Sequence, residues 1–225
     1  MTKKCNVIVV ANQKGGTGKT TTTENVGIGL ANQGNIHHEE QIDLIPSNIE
    51  LADFELKLVS VMNRERVLDM CLSPLKQHYD YILIDCPPSL GMLTINALSA
   101  ADNILIPVQA QYLPAKGMTK LLNTIGKVKH QINPKVDILG VAITLANMQT
   151  NLGKSTVETI RENYGKHIKV FNSIIPIGVK AAEASVSGKS VYQHAKDSNV
   201  AKAYEDLTKE ITKIEKSKHK GTPER

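Results

Sequence analysis

The 225-residue chain lacks any run of the roughly 18 apolar residues that a helix needs to cross a bilayer. Its opening stretch, MTKKCNVIVVANQKGG, holds an apolar run too short and too soon broken for a signal peptide, so the expected location is the cytosol. Cysteine is scarce. Cys5, Cys71 and Cys86 are odd in number and widely spaced, with no C-x-x-C pair, which argues against a disulfide framework or a zinc site and leaves reduced, mostly buried thiols. Tryptophan is absent and aromatics are 4% of residues, while 41% are hydrophobic and 22% charged, the balance of a soluble globular domain. There is no internal repeat, no linker and no low-complexity segment besides a polar tail, so one domain is expected over residues 1–214, followed by a basic tail over 215–225.

Charge is only mildly one-sided. Lys and Arg total 27 against 22 acids, giving +5 with neutral histidines, and Lys209–Arg225 carries six basic and three acidic residues. Such a bias permits contact with phosphate backbones without requiring it; a solvated tail explains it as well.

Short apolar runs alternate with stretches of helical period: Cys5–Ala11, then Gly18–Gln33, with later runs at Tyr81–Ile84, Ile104–Val108 and Ile138–Leu145. That alternation predicts βαβ units, an α/β fold with a mostly parallel central sheet flanked by helices. Leu121, Leu122, Ile125, Val128 and Ile132 recur on one face and predict a helix over Ala115–Ile132; another is expected over Asn199–Ile214. Ser47-Asn48-Ile49-Glu50 fits a capping box, with Leu51, Phe54, Leu58 and Val61 following at helical spacing, so a helix is expected to begin near Asn48.

The strongest signal follows the strand Val7–Val10: Gln13-Lys14-Gly15-Gly16-Thr17-Gly18-Lys19-Thr20, then a helix. Strand, glycine-rich turn and helix start together aim several backbone N–H groups and the positive end of the helix dipole at one spot, which suits a polyphosphate. Glycines let the backbone wrap closely round phosphate oxygens. Lys19 would reach the β- and γ-phosphates and Thr20 would offer its hydroxyl to Mg²⁺, so Lys14, Gly15, Gly16, Thr17, Gly18, Lys19, Thr20 and Thr21 are the expected nucleotide contacts.

Gln13 stands where the general pattern has its first glycine, and Lys14 is an additional cation inside the loop. Here the sequence resembles the deviant Walker A ATPases, and KGGTGKTTTTENVGIGLANQG is similar to the opening of the ParA/Soj partition ATPases, relatives of MinD and the nitrogenase iron protein. The resemblance implies a P-loop NTPase fold, ATP and Mg²⁺ as ligands, and a nucleotide-dependent homodimer in which Lys14 reaches the partner's ATP as a catalytic residue.

Tyr81-Ile82-Leu83-Ile84-Asp85 has the form of a Walker B element, an acid at the end of a buried strand beside the phosphate loop, so Asp85 joins Thr20 as an expected metal ligand. Asp85-Cys86-Pro87-Pro88-Ser89-Leu90-Gly91 matches the D-x-P-P-S-L-G stretch of the family, and the likeness runs from about residue 5 to about 212. Gly178–Ser185 is similar to a stretch in which a basic residue, here Lys180, contacts DNA nonspecifically; Lys189, Lys196 and Lys202 would extend that face, or are solvated charges. The family resemblance also implies Asn147 and Pro176 as adenine contacts, a ParB-type partner protein, and no membrane association, since Glu215–Arg225 has no large apolar side chain.

The sequence departs from the family at the second strand. ParA proteins carry there a D-x-D-P-Q element whose first aspartate helps position the attacking water, whereas here Ala31-Asn32-Gln33-Gly34 leads into Asn35-Ile36-His37-His38-Glu39-Glu40 and then Gln41–Ser47, which resembles a strand found further downstream. The comparison implies an internal loss of several tens of residues, taking away a strand beside the Walker B strand. Ile42–Ile45 are expected to move into the gap as a short strand; Asp43 then imitates the lost carboxylate or is an ordinary edge-strand aspartate. His37, His38, Glu39 and Glu40 read as a solvated loop rather than a metal cluster. Turnover should suffer far more than binding, because phosphate contacts and water orientation reside on different residues. Three readings follow: a ParA-like partition ATPase, a regulatory or DNA-coating protein that holds nucleotide without cycling, and a degenerate remnant.

Overall fold

Four consecutive aliphatic residues, Val7–Val10, have no solvent-exposed surface, because the strand that carries them is covered on both faces. The computed structural model describes residues 5–33, 42–110 and 115–220. Its strands are β1 (Asn6–Val10), β2 (Tyr81–Asp85), β3 (Asn103–Gln109), β4 (Asp137–Ala146) and β5 (Val170–Pro176), in the order β2-β1-β3-β4-β5 with every pairing parallel. The chain leaves β1 toward β2 on one side and then crosses back over β1 to β3, so the direction of strand addition reverses at β1. In open parallel sheets a reversal of this kind opens a crevice at the carboxyl ends of the strands.

The helices are α1 (Lys19–Gln33), α2 (Glu50–Lys57), α3 (Val67–Leu72), α4 (Met92–Ala100), α5 (Ala115–Gln131), α6 (Asn151–Tyr164), α7 (Val179–Val186), α8 (Val191–His194) and α9 (Asn199–Lys220). Alternation along β1 sends Val9 to one face, where it joins Leu98 of α4, Leu121 and Ile125 of α5 and Ile160 of α6. Ile8 and Val10 go to the other, with Val26 and Leu30 of α1 and Tyr204, Leu207 and Ile211 of α9. Of the stripe expected on α5, Leu121, Ile125 and Val128 are buried and Leu122 and Ile132 half-buried. Cys5 and Cys86 are buried, Cys71 is exposed, and all three are free.

Three expectations are corrected. Residues 42–48 form no strand: Ile42, Leu44 and Ile45 are exposed, Leu44 by 81%. A four-residue segment ending at Pro46 builds a ladder only against a neighbouring strand, and among the described residues β2 pairs with β1 alone and is the sheet edge. The helix after it begins at Glu50, and its first N–H is capped not by Ser47 but by Asn48, whose Oδ1 accepts from Glu50 N at 3.0 Å. The helix expected to stop near Ile214 runs on to Lys220, and Glu215, expected in a polar tail, is buried there. Its carboxylate is satisfied by Tyr81 Oη at 2.6 Å and by Asn6 Nδ2, which is why a polar residue can continue the packed face.

Candidate nucleotide-binding site

Between Val10 and Lys19 the chain turns back on itself at the carboxyl end of the sheet. Gly16 (φ 69°) and Gly18 (φ 75°) lie in the left-handed region, where a side chain would strain the backbone. Both flanks of the turn are tied down. Asn12 is buried, donating Nδ2 to Pro107 O at 2.7 Å and accepting from Lys14 N at 3.0 Å through Oδ1. From β4, Thr144 Oγ1 donates to Thr17 O at 2.9 Å. The loop is therefore pre-formed, and the first N–H groups of α1 face it.

Lys19 is 7% exposed, and its ammonium donates to Lys14 O at 3.1 Å. Burial pushes its pKa below the ordinary lysine value, while Asp85 and Cys86 act in the opposite direction. A cation so short of water and of acceptors is poised for an anion. One residue further on, Thr20 Oγ1 donates to Asp85 Oδ2 at 2.6 Å, at the solvent side of the loop. The parallel register sets Asp85 beside Val10, which brings the end of β2 alongside the start of the loop. Hydroxyl and carboxylate are hard oxygen donors of the sort Mg²⁺ takes, with phosphates and water filling its other positions. Among the described residues no three His, Cys, Asp or Glu side chains converge into a self-sufficient metal cluster. The Cys86 thiol is pushed up to about 12 by burial, with Asp85 adding to the effect, so it stays protonated and inert.

These groups open onto a cleft of about 760 Å³. Gly15, Gly16, Gly18, Lys19, Thr20 and Thr21 line it, together with Asp85–Ser89 and, from the segment leading into α2 and from α2 itself, Ser47, Asn48, Leu51 and Glu55. Pro88 lies against Gly15, where an added Cβ would come to 3.9 Å from its own. Sequence reasoning missed Asn12, Thr144 and Glu55. A polar residue directly after a buried strand was a usable signal for Asn12; nothing local marks the other two.

The remaining expected residues lie elsewhere. Asn147 follows β4 and Pro176 ends β5, side by side through the Ala146–Pro176 pairing, at the same end of the sheet as the loop but outside the lining of the cleft. Asp43 is exposed, accepts from Tyr79 Oη at 2.6 Å and does not line the cleft. Lys180 on α7, Lys189 and Lys196 beside α8, and Lys202 on α9 are all exposed on consecutive elements, and Lys180 Nζ is paired with Glu183 at 2.9 Å. His37, His38, Glu39 and Glu40 fall outside the described residues. No described helix is long and apolar enough to cross a membrane.

An AAA domain family model matches residues 35–138. Sporulation initiation inhibitor protein Soj of Bacillus subtilis is 37% identical over 248 aligned positions that take in 91% of this chain and 97% of that protein. Chromosome partitioning protein ParA of Myxococcus xanthus is 34% identical over 250 positions, taking in 92% of this chain and 88% of that protein. Since 91% of 225 residues is about 205, about 43 of the 248 positions aligned with Soj face no residue of this chain, in keeping with an internal loss. The crystal structure of cobyrinic acid a,c-diamide synthase from Mycobacterium smegmatis with bound ATP analog and magnesium superposes with a TM-score of 0.81 at 28% identity, covering 95% of this chain and 97% of that one. A parallel sheet that presents a deviant phosphate loop, joined to this extent of likeness to Soj and ParA, shows that the chain belongs to the ParA/Soj family of partition ATPases.

Proposed function

We propose that this chain is a nucleotide-dependent partition protein that binds ATP with Mg²⁺ in the cleft, pairs into a homodimer in that state, and engages DNA nonspecifically until a ParB-type partner releases it. One observation carries the reading: the Thr20–Asp85 pair stands beside a buried Lys19 at the mouth of a pre-formed glycine loop. The N–H groups of Gly15–Lys19 and the Lys19 ammonium would hold the β- and γ-phosphates. Thr20 and Asp85 would hold Mg²⁺, which neutralises phosphate charge when bound. Adenine would extend toward Asn147 and Pro176, Lys14 would reach the partner's nucleotide, and Lys180, Lys189, Lys196 and Lys202 would lie along phosphate backbones. Turnover is weak in this reading, because β2 is the sheet edge and no strand beyond it carries a carboxylate toward the cleft among the described residues.

The test combines titration with a fluorescent ATP analogue, light scattering for the dimer, and gel shift on random-sequence duplex, each with and without Mg²⁺–ATP. Binding, dimerisation and a DNA shift that all require nucleotide support the reading; a chain that binds DNA equally without nucleotide opposes it. The edge position of β2 also favours a second reading, a regulatory or DNA-coating protein that holds nucleotide without cycling. Nucleotide that remains bound and intact over hours would select it.

A further inference from the structure

We propose that Glu55 orients the water that attacks the γ-phosphate and supports such turnover as the chain has, a role that rests on the ATP reading above. Phosphoryl transfer asks the protein for charge neutralisation, alignment, and a group that accepts a hydrogen bond from the attacking water. Two carboxylates line the cleft among the described residues, Asp85 and Glu55. Asp85 is already engaged by Thr20. Glu55 stands on α2, half-buried, in a wall of the same cleft that holds the loop glycines.

Its setting fixes it without using it up. Oε1 accepts from Leu93 N in the first turn of α4 across a long 3.4 Å, and the carboxylate packs on Gly91, where an added Cβ would meet Oε1 and displace the Glu55 side chain. Among the described residues neither oxygen is paired with a cation, and Oε2 has no hydrogen-bond donor. One oxygen thus anchors the side chain at the end of the Asp85–Gly91 loop, and the other can take a proton from water. In the step, the water oxygen bonds to the γ-phosphorus while the bond to the β–γ bridging oxygen breaks and its electron pair leaves on ADP. The water proton passes to Glu55 and from there to the released phosphate, so the carboxylate is regenerated.

The test uses the full chain with Mg²⁺–ATP and compares wild type, E55Q, E55D and D43N. Single-turnover hydrolysis, affinity for a fluorescent ATP analogue, affinity for ADP–aluminium fluoride and melting temperature are read together. Wild type should turn over slowly but above the solution reaction; E55Q should lose about 100-fold in turnover, in the usual range for removing a general base. E55Q should keep ATP affinity within about threefold while losing the extra affinity for ADP–aluminium fluoride, because a transition-state contact is absent from the ground state. D43N should match wild type. Should E55Q unfold, E55D supplies the same split between binding and turnover. E55Q hydrolysing at the wild-type rate overturns the proposal and leaves Glu55 as a cap on α4. Wild type that binds ATP and never hydrolyses it overturns the Glu55 role alone, whereas wild type that binds no ATP overturns the nucleotide reading and this one with it.

Discussion

Thr20 Oγ1 and Asp85 Oδ2 meet at 2.6 Å, which joins the first turn of α1 to the last residue of β2 across the mouth of the phosphate loop. The bond is charge-assisted but solvent-exposed, so its value lies less in stability than in keeping two oxygens at one place. D85A should weaken nucleotide binding in Mg²⁺ by about 10- to 100-fold, the usual cost of disturbing a metal's ligand set. In EDTA the variant and wild type should bind alike, and their melting curves without nucleotide should stay within about 0.5 kcal/mol. Isothermal titration in both buffers checks this, and an equal loss with and without Mg²⁺ would remove Asp85 from the metal.

Lys19 presents the opposite balance. Its ammonium is buried against one carbonyl oxygen, and burial already disfavours its charge. Replacing a poorly compensated buried charge by an apolar side chain of similar length is often neutral or stabilising, so K19M without nucleotide should melt as wild type does or gain about 1 kcal/mol. The same variant should fail to bind ATP. A K19M protein that melts several degrees lower would mean that the ammonium holds the loop together rather than waiting for phosphate.

The parts of this molecule that were legible in the sequence are those where local pattern and tertiary demand agree. Val7–Val10 is aliphatic throughout because both faces of β1 are covered, and Gly16 and Gly18 after it sit where φ is positive. Tyr81–Asp85 and the α5 stripe were readable for the same reason. Ile42–Ile45 misled because a strand pattern describes what a segment does beside a partner, and the described sheet ends at β2. Glu215 misled in the other sense: apolar periodicity stops at Ile214, yet the helix continues because buried polar partners from β1 and β2 receive the carboxylate. Glu55 and Thr144 reach the site from remote elements, and no spacing along the chain marks them.

That buried carboxylate fastens α9 to the end of the sheet farthest from the loop. Glu215 accepts from Tyr81 at the start of β2 and from Asn6 in β1, and Asn6 Oδ1 accepts in turn from Asn103 Nδ2 of β3 at 2.9 Å. Burial and Glu215 push the Tyr81 phenol well above its ordinary pKa, so it remains a donor far into the alkaline range. Y81F takes one donor from the carboxylate and should cost about 1–3 kcal/mol in urea unfolding at pH 7, the price of an under-satisfied buried charge. Because β2 is the sheet edge among the described residues, the same variant should also speed amide exchange along Tyr81–Asp85. A Y81F protein as stable as wild type would show that the extension of α9 hangs loosely on the sheet.

Glu183 pairs with Lys180, the lysine proposed to meet DNA. Its Oε2 accepts from Lys180 Nζ at 2.9 Å and from His194 Nε2 at 3.2 Å, and hydrogen bonds from Lys180 first and His194 second keep its carboxyl below the ordinary value. A lowered carboxylate stays charged at neutrality and lets go only when pH falls through that reduced value, so acidification above it leaves the Lys180 pair intact. E183Q removes the competing charge at any pH and should tighten DNA binding by about two- to threefold at low salt, the scale of an exposed ion pair. The gain should vanish as salt rises, since the pair and the phosphate contact are screened alike. K180A should weaken binding to every duplex sequence about equally and lower the slope of log affinity against log salt by about 0.9, the share of one phosphate contact. Fluorescence anisotropy on a random duplex from low to moderate salt decides it: E183Q binding no tighter, together with K180A leaving the slope unchanged, would take α7 off the DNA-binding face.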